Sequence, residues 1–338
     1  MPAGRAAPGI VPLVAWRIVT TDFPPLDGGI ATWAEGTARA LAEAGESVVV
    51  HARSVAGVRA GTPTPAVPYE VMPIRGRSWA SWQAVWAAAS VLPRLRRGDV
   101  VVCATWPLAV HLVGPAARLG VPVGVVYHGS DLTRPAPIRG FELVLAGARA
   151  HLPVSAYLGG LLGADHTVLP APIDLAPPAI PGDTLLTVAR LTPLKGVDRV
   201  LRLGARLGRP VRVVGDGPER PALEKLAAEL GVRATFTGRL KRVDIPWDDA
   251  WACALFSRVD ADGSGAEGLG LTLIEAATRG IPTLGVRVGG IPEVADVVLD
   301  DPERDEIPPL PDRGDVRARM AAHHGRARTV ETLRRVLG

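Results

Sequence analysis

Leu185-Leu186-Thr187-Val188-Ala189-Arg190-Leu191-Thr192-Pro193-Leu194-Lys195-Gly196-Val197-Asp198 carries the pattern that decides the fold. Its opening residues form a nearly continuous apolar run, lacking the alternation of a strand wetted on one face. Such a run reads as a strand of a parallel sheet covered on both sides. Pro193 and Gly196 then bound a short loop that feeds a new helix. Strand, loop and helix in that order is the repeating unit of a doubly wound sheet, whose ligands bind beyond the carboxyl ends of the strands. Arg190 and Lys195 stand at such an end. A planar guanidinium clamps a phosphate at two points and an ammonium supplies a compact charge, so together they suit a diphosphate. Taken alone, the same two residues read equally as a solvated helix edge.

About 70 residues further on, a short pattern repays the same scrutiny. It is Ala266-Glu267-Gly268-Leu269-Gly270-Leu271-Thr272-Leu273-Ile274-Glu275, followed by Arg279-Gly280-Ile281-Pro282 and Gly289-Gly290-Ile291-Pro292-Glu293. Two carboxylates, Glu267 and Glu275, flank two glycines and an apolar helix start. Gly268 and Gly270 let backbone amides, with those of Leu269 and Leu271, approach a ligand closely, and the helix beyond favours negative charge. Hydroxyl acceptors on both sides of a phosphate seat describe a sugar nucleotide. The plain alternative is a surface loop ahead of a helix that buries Leu271, Leu273 and Ile274.

Other strand ends agree. Val213-Val214-Gly215-Asp216-Gly217-Pro218-Glu219 reads as a strand, a glycine turn and a proline in the first helical position. Val125-Val126-Tyr127-His128-Gly129-Ser130-Asp131 puts a histidine just past another buried strand. Asp131 and Ser155 read best as helix N-caps. Ile18-Val19-Thr20-Thr21-Asp22-Phe23-Pro24-Pro25-Leu26-Asp27-Gly28-Gly29-Ile30-Ala31 is an opening strand with a glycine loop, and it lacks the Gly-x-Gly-x-x-Gly fingerprint of dinucleotide sites.

Together these motifs resemble family 4 of the glycosyltransferases, whose members carry Arg-x4-Lys-Gly and Glu-x7-Glu, and the resemblance covers nearly the whole chain. It implies the α/β GT-B fold: two doubly wound Rossmann-like domains facing across a cleft. It implies retaining transfer of a sugar from a nucleoside diphosphate sugar, without a metal or other cofactor. By resemblance Glu267, Arg190, Lys195 and His128 are catalytic, with Glu267 on the sugar hydroxyls, Arg190 and Lys195 on the departing diphosphate, and His128 beside the transferred sugar. Gly28, Gly29, Gly215, Gly268, Leu269, Gly270, Leu271 and Glu275 are donor-binding, Glu275 at the ribose. No second carboxylate nucleophile is evident, so the diphosphate is expected to leave from the face the acceptor attacks. Two departures stand out. The approach Ser257-Arg258-Val259-Asp260-Ala261-Asp262-Gly263-Ser264-Gly265 is longer and more polar than the family's usual one, and its arginine-containing loop resembles that of some GDP-mannose users, which implies a GDP-sugar over a UDP-sugar. The segment after Glu293 is contracted to Val297-Val298-Leu299-Asp300-Asp301-Pro302, which puts the docking of the last helix in doubt.

At 338 residues and 47% hydrophobic, the chain can bury two cores. Residues 1–170 read as the acceptor-side domain, the proline-rich stretch 171–182 as a linker and 183–312 as the nucleotide-sugar domain. Residues 313–338, helical from Val316 to Leu337, are expected to cross back to the first domain. Net charge is +4, and only three of the 38 basic residues are lysines. Residues 1–178 hold 14 arginines against 11 acids, too slight an excess for a nucleic-acid partner. Cys103 and Cys253 lack metal-type spacing and fit a reducing cytoplasm. Asp260 and Asp262 read as a solvated loop. No signal peptide is evident, and Pro107, Pro115, Arg118 and Pro122 break the apolar stretch from Val100 to Val126 into strand, helix and strand. A monomer or homodimer is expected.

Trp79, Trp82 and Trp86 share a helix face, with Arg75 and Arg77 before them and Arg94, Arg96 and Arg97 after. The stripe reads as core facing its sheet, ahead of a face for an anionic bilayer or apolar acceptor. The expected acceptor is a small molecule such as a specialised-metabolite intermediate. A lipid-linked cell-envelope glycan is the alternative acceptor. A glycoside hydrolase using Glu267 and Glu275 as its acid pair, or a non-catalytic GT-B-fold protein, are the alternatives of other classes.

Overall fold

The computed structural model describes residues 14–26, 28–53, 67–76, 79–129, 131–132, 140–260 and 265–338. The first part runs β1 (Trp16–Thr20), α1 (Gly29–Glu43), β2 (Val48–Arg53), β3 (Glu70–Ile74), α2 (Trp79–Val91), β4 (Val100–Cys103), α3 (Trp106–Ala109), α4 (Val113–Arg118), β5 (Val123–Tyr127), α5 (Phe141–Gly147), β6 (Ala150–Pro153) and α6 (Ala156–Leu162). The second runs β7 (Pro181–Val188), α7 (Val197–Leu207), β8 (Val211–Val214), α8 (Arg220–Glu229), β9 (Ala234–Gly238), β10 (Ala250–Leu255), α9 (Leu271–Ala277), β11 (Thr283–Val286) and β12 (Val297–Leu299). Two helices follow, α10 (Arg313–His323) and α11 (Arg326–Leu337).

Each part builds one six-stranded sheet, in the orders β3-β2-β1-β4-β5-β6 and β12-β11-β10-β7-β8-β9. Every strand pair is parallel. The two orders are the same doubly wound pattern, reversing between β1 and β4 and again between β7 and β10, where such sheets open a crevice for ligands. Central strands β1, β4, β5 and β11 are buried along their whole length, as strands covered on both faces must be. Edge strands β3 and β9 are the more exposed ones. A charge inside β1 is accommodated locally: Arg17 Nε lies 2.6 Å from Asp99, which also accepts from the Ala15 amide at 2.8 Å.

The carboxyl-terminal segment is two helices, not the single one expected from Val316 to Leu337. Gly325, at φ 120°, breaks it, and its amide donates to the Ala171 carbonyl at 2.9 Å. Only α11 lies on the first sheet's layer. There Val330 and Leu333 are buried, and Arg326 and Arg334 pair with Glu43 and Glu46 beside α1 at 2.7 and 2.5 Å. Gly124 of β5 accommodates Leu337, whose Cδ1 would sit 2.6 Å from a Cβ there.

The tryptophan stripe splits. Trp82 is 53% exposed, against the expectation that it is core. Trp86 packs beside the buried cluster of α2, β4 and β5, its ring over Gly76. The side chain of Trp79 lies outside the described residues.

Candidate functional site

The crevice between the sheets gathers loops from both. At the end of β7, Arg190 is exposed and Lys195 half-buried in a 3-10 turn, Pro193–Lys195. Gly196 follows at φ 60°, and a Cβ on it would lie 1.9 Å from the Phe256 carbonyl oxygen, so only glycine lets β7 and β10 end so close together. Lys195 Nζ lies 2.5 Å from Glu267 Oε2, which also accepts from Ser257 Oγ at 3.5 Å. The first glutamate of the motif therefore meets the lysine predicted from a separate segment.

Glycines hold the Glu267 loop between the sheets. A Cβ on Gly268 would stand 1.9 Å from the His128 carbonyl oxygen, and one on Gly129 3.0 Å from the Gly268 Cα. From the other side, Cβ atoms on Gly289 and Gly290 would collide with the carbonyls of Glu267 and Gly268. Close backbone stacking thus explains Gly268, where the sequence suggested room for a ligand. Gly270, in the left-handed region at φ 89°, starts α9, which buries Leu273 and Ile274 and leaves Leu271 partly open. Leu269 is buried. Leu271 reaches across towards Gly29, its Cδ1 3.4 Å from where a Cβ would sit, while Gly28 has open space around it.

Two polar side chains, Ser155 and Glu293, join the halves beside this loop. Ser155 Oγ accepts from the Leu158 amide, capping α6 as expected, and also donates to the Gly268 carbonyl at 2.7 Å. Glu293 accepts from the amides of Ala156 and Tyr157 at 2.8 and 2.9 Å. The Gly-Gly-Ile-Pro-Glu run thus seats the Glu267 loop with its glycines and grips the opposite sheet's helix with its carboxylate.

His128 faces Trp33 edge-on, ring centroids 5.3 Å apart. Burial lowers its pKa to about 3, so the imidazole is neutral. Its Nε2 is buried without a partner among the described residues. Asp131 reads as a helix cap in the sequence, and the residues such a helix would occupy lie outside the described ones. Its Oδ1 accepts from the amides of His128 and Gly129 at 3.1 and 2.9 Å, clamping the turn that abuts Gly268.

Glu275 lies one helical turn into α9 and is 8% exposed. Its Oε1 is 2.6 Å from Arg242, in a 3-10 turn (Arg242–Asp244) after β9. Burial pushes its carboxyl above the usual range, with Arg242 and then Arg279 opposing. Gly215, at φ 135°, packs on the Ala189 carbonyl, fixing the loop beside Arg190. Pro218 precedes α8 by two residues and so is not its first helical position. Arg258 grips Asp198 with both guanidinium arms, each 2.6 Å, which overcomes burial and holds that carboxyl below its ordinary range. Cys103 and Cys253 are free and buried. Among the described residues no group of acids, histidines and cysteines could hold a metal, and no helix is long and apolar enough to cross a membrane. Asp262 lies outside the described residues.

Sequence reasoning missed Arg242 and Trp33, and it singled out Glu293 without giving it a role. The only signal for Arg242 was a run of cations, Arg239, Lys241 and Arg242, after a strand.

Residues 27–183 match the family described as Glycosyltransferase Family 4, and residues 180–296 match Glycosyl transferases group 1. A GDP-mannose-dependent alpha-(1-6)-phosphatidylinositol monomannoside mannosyltransferase of Mycolicibacterium smegmatis is 34% identical over 125 residues, 34% of this chain and 32% of that protein. The match thus spans about a third of that relative's length. The monoacylated-substrate counterpart from Corynebacterium glutamicum is 26% identical over 82% of this chain and 81% of its own. Among solved structures, Anabaena Alr3699/HepE in complex with UDP superposes with a TM-score of 0.73 at 15% identity, covering 96% of this chain and 99% of that one. AviGT4, a glycosyltransferase involved in avilamycin A biosynthesis, gives 0.69 at 20% identity over 95% and 98%. The paired sheets, the loops between them and these two adjoining matches lead to one conclusion: the chain is built of a Glycosyltransferase Family 4 domain followed by a Glycosyl transferases group 1 domain, and it has the GT-B fold.

Proposed function

We propose that the chain is a retaining glycosyltransferase that moves a sugar from a GDP-sugar to an acceptor hydroxyl bound in the crevice. The observation that carries this reading is the meeting of Lys195 and Glu267 at the switch point of the second sheet, 2.5 Å apart and against the first sheet's His128 turn. A diphosphate entering beside Arg190 draws Lys195 towards it, and Glu267 is then released to accept from sugar hydroxyls. As the bond to the anomeric carbon breaks, charge builds on the leaving phosphate oxygen, where Arg190, Lys195 and the amides of residues 268–271 stabilise it. His128, being neutral, serves as a hydrogen-bond partner of the sugar and not as a charge. The cations carry the neutralisation, so no metal is assigned a role. The GDP preference draws on the Arg258 loop, and the relatives named for GDP-mannose agree with it.

Glu267→Gln should lower turnover about 100-fold or more, the scale of losing one preorganised polar contact in a transition state, with GDP affinity nearly kept. Glu275→Gln should instead weaken GDP binding. Calorimetry with GDP and single-turnover rates on both variants give the contrast, and normal turnover by Glu267→Gln would overturn the assignment.

A small-molecule acceptor remains the proposal. A lipid-linked acceptor is the second reading, favoured by exposed Trp82 on a helix that exposed Arg75 and Arg94 flank in sequence and by the phosphatidylinositol mannoside named for two relatives.

A further inference from the structure

Arg242 has no place in the chemistry above, yet it reaches the motif's second glutamate. Its turn leaves the carboxyl end of β9, on the outer edge of the second sheet, and its guanidinium crosses to Glu275 Oε1 at 2.6 Å. The side chain is 40% exposed while that of Glu275 is 11% exposed. The carboxylate is therefore sunk in the wall and its cation stands at the mouth. Elements packed around Glu275 supply few other charges. Arg279, a turn further along the chain, donates to the Glu275 backbone carbonyl at 2.8 Å and lies over the Trp247 ring. Cys253 of β10 is a neutral thiol, held protonated by burial and then by Glu275 itself.

A buried carboxylate without a paired cation takes up a proton instead. A protonated acid loses acceptor capacity, and a vicinal diol offers two donors that a carboxylate can accept together. We propose that Arg242 is a positioning residue of the donor site, keeping Glu275 ionised and aimed so that it accepts from the ribose hydroxyls of the nucleoside diphosphate. The inference rests on the reading of Glu275 as a donor-site residue and extends it to the loop after β9. The exposed guanidinium is the element that yields when nucleotide enters, sliding along the carboxylate without leaving it.

The test is calorimetric titration of GDP into the full chain between pH 5 and 8, for the unsubstituted protein, Arg242→Ala, Arg242→Lys and Glu275→Gln, and for the Arg242→Ala/Glu275→Gln pair. Arg242→Ala should bind GDP about tenfold more weakly at neutral pH, the scale of a lost charge-assisted bond. Its affinity should recover as pH rises, with a midpoint above that of the unsubstituted protein, because less of Glu275 is ionised at any given pH. Arg242→Lys should restore most of the affinity, since an ammonium also stabilises the carboxylate. In the Glu275→Gln background, Arg242→Ala should cost nothing further and no pH midpoint should remain. An Arg242→Ala protein with unchanged affinity and pH profile overturns the proposal. So does an equal loss in the Glu275→Gln background, which would mean that Arg242 touches the nucleotide directly. If the unsubstituted chain binds neither GDP nor UDP, the donor-site reading itself falls, and this inference with it.

Discussion

Lys195 and Glu267 show what one pair of residues settles. Their ion pair is partly buried, side chains 32% and 18% exposed, so its worth lies between that of a surface pair and of a buried one. Lys195→Ala removes the proposed phosphate contact and leaves Glu267 without its cation. Free GDP should bind about tenfold more weakly or worse, and calorimetry that finds unchanged affinity in a folded variant would remove Lys195 from the donor site. Lys195 was legible because it stands where a strand pattern ends, which is where such sheets bind, and Glu267 because it opens a glycine-spaced pair of carboxylates ahead of a helix. Arg242 was illegible because its partner lies 33 positions away and nothing in either segment names the other. Which loops face each other follows from the order β10-β7-β8-β9, and strand order is a property of the folded sheet. Gly268 shows a subtler gap: its smallness was plain in the sequence, but the His128 carbonyl that demands it is 140 residues away.

Among the elements, α2 departs most from its reading. Its sequence is apolar nearly all round, so spacing alone could not say which tryptophan faces the sheet. The fold turns Trp86 onto Gly76 and Trp82 into solvent. Trp86→Ala should therefore cost up to about 3 kcal/mol, since the ring is partly buried and a fully buried tryptophan costs about 3–5 kcal/mol. Trp82→Ala should change stability by no more than about 0.5 kcal/mol. Chemical denaturation of the two single variants separates these cases, and equal losses would contradict the geometry. The same experiment prepares a question about acceptors: a stable Trp82→Ala protein that no longer binds anionic vesicles, while its parent does, supports the lipid-linked reading. The break at Gly325 was missed for a related reason. A glycine within a helical pattern is tolerated often enough that only its bond to the linker carbonyl of Ala171 reveals a turn.

For the whole molecule, acid should be the sensitive direction. His51, His128 and His324 are all held neutral chiefly by burial, with pKa values lowered to about 3, 3 and 4. A histidine whose folded pKa lies below its unfolded value adds stability above about pH 6.5, and that stability is lost as pH falls towards the folded value. Each should remove about 1.4 kcal/mol per pH unit across that window. Melting temperature should drop steeply from pH 6.5 to 4, and His128→Gln should flatten the slope. A melting temperature level over that range would show these imidazoles to be charged in the folded state. The two sheets themselves were readable from apolar runs ending in glycine turns, since most strands lead directly into a helix.

The way α11 returns to the first layer has a consequence for synthesis. The ribosome delivers β1 to β6 early, but the helix that covers Gly124 and answers Glu43 and Glu46 belongs to residues 326–337. Between them lies every strand of the second sheet. The first sheet's layer is therefore completed only after the second sheet has been made, and until then it waits with an apolar flank uncovered.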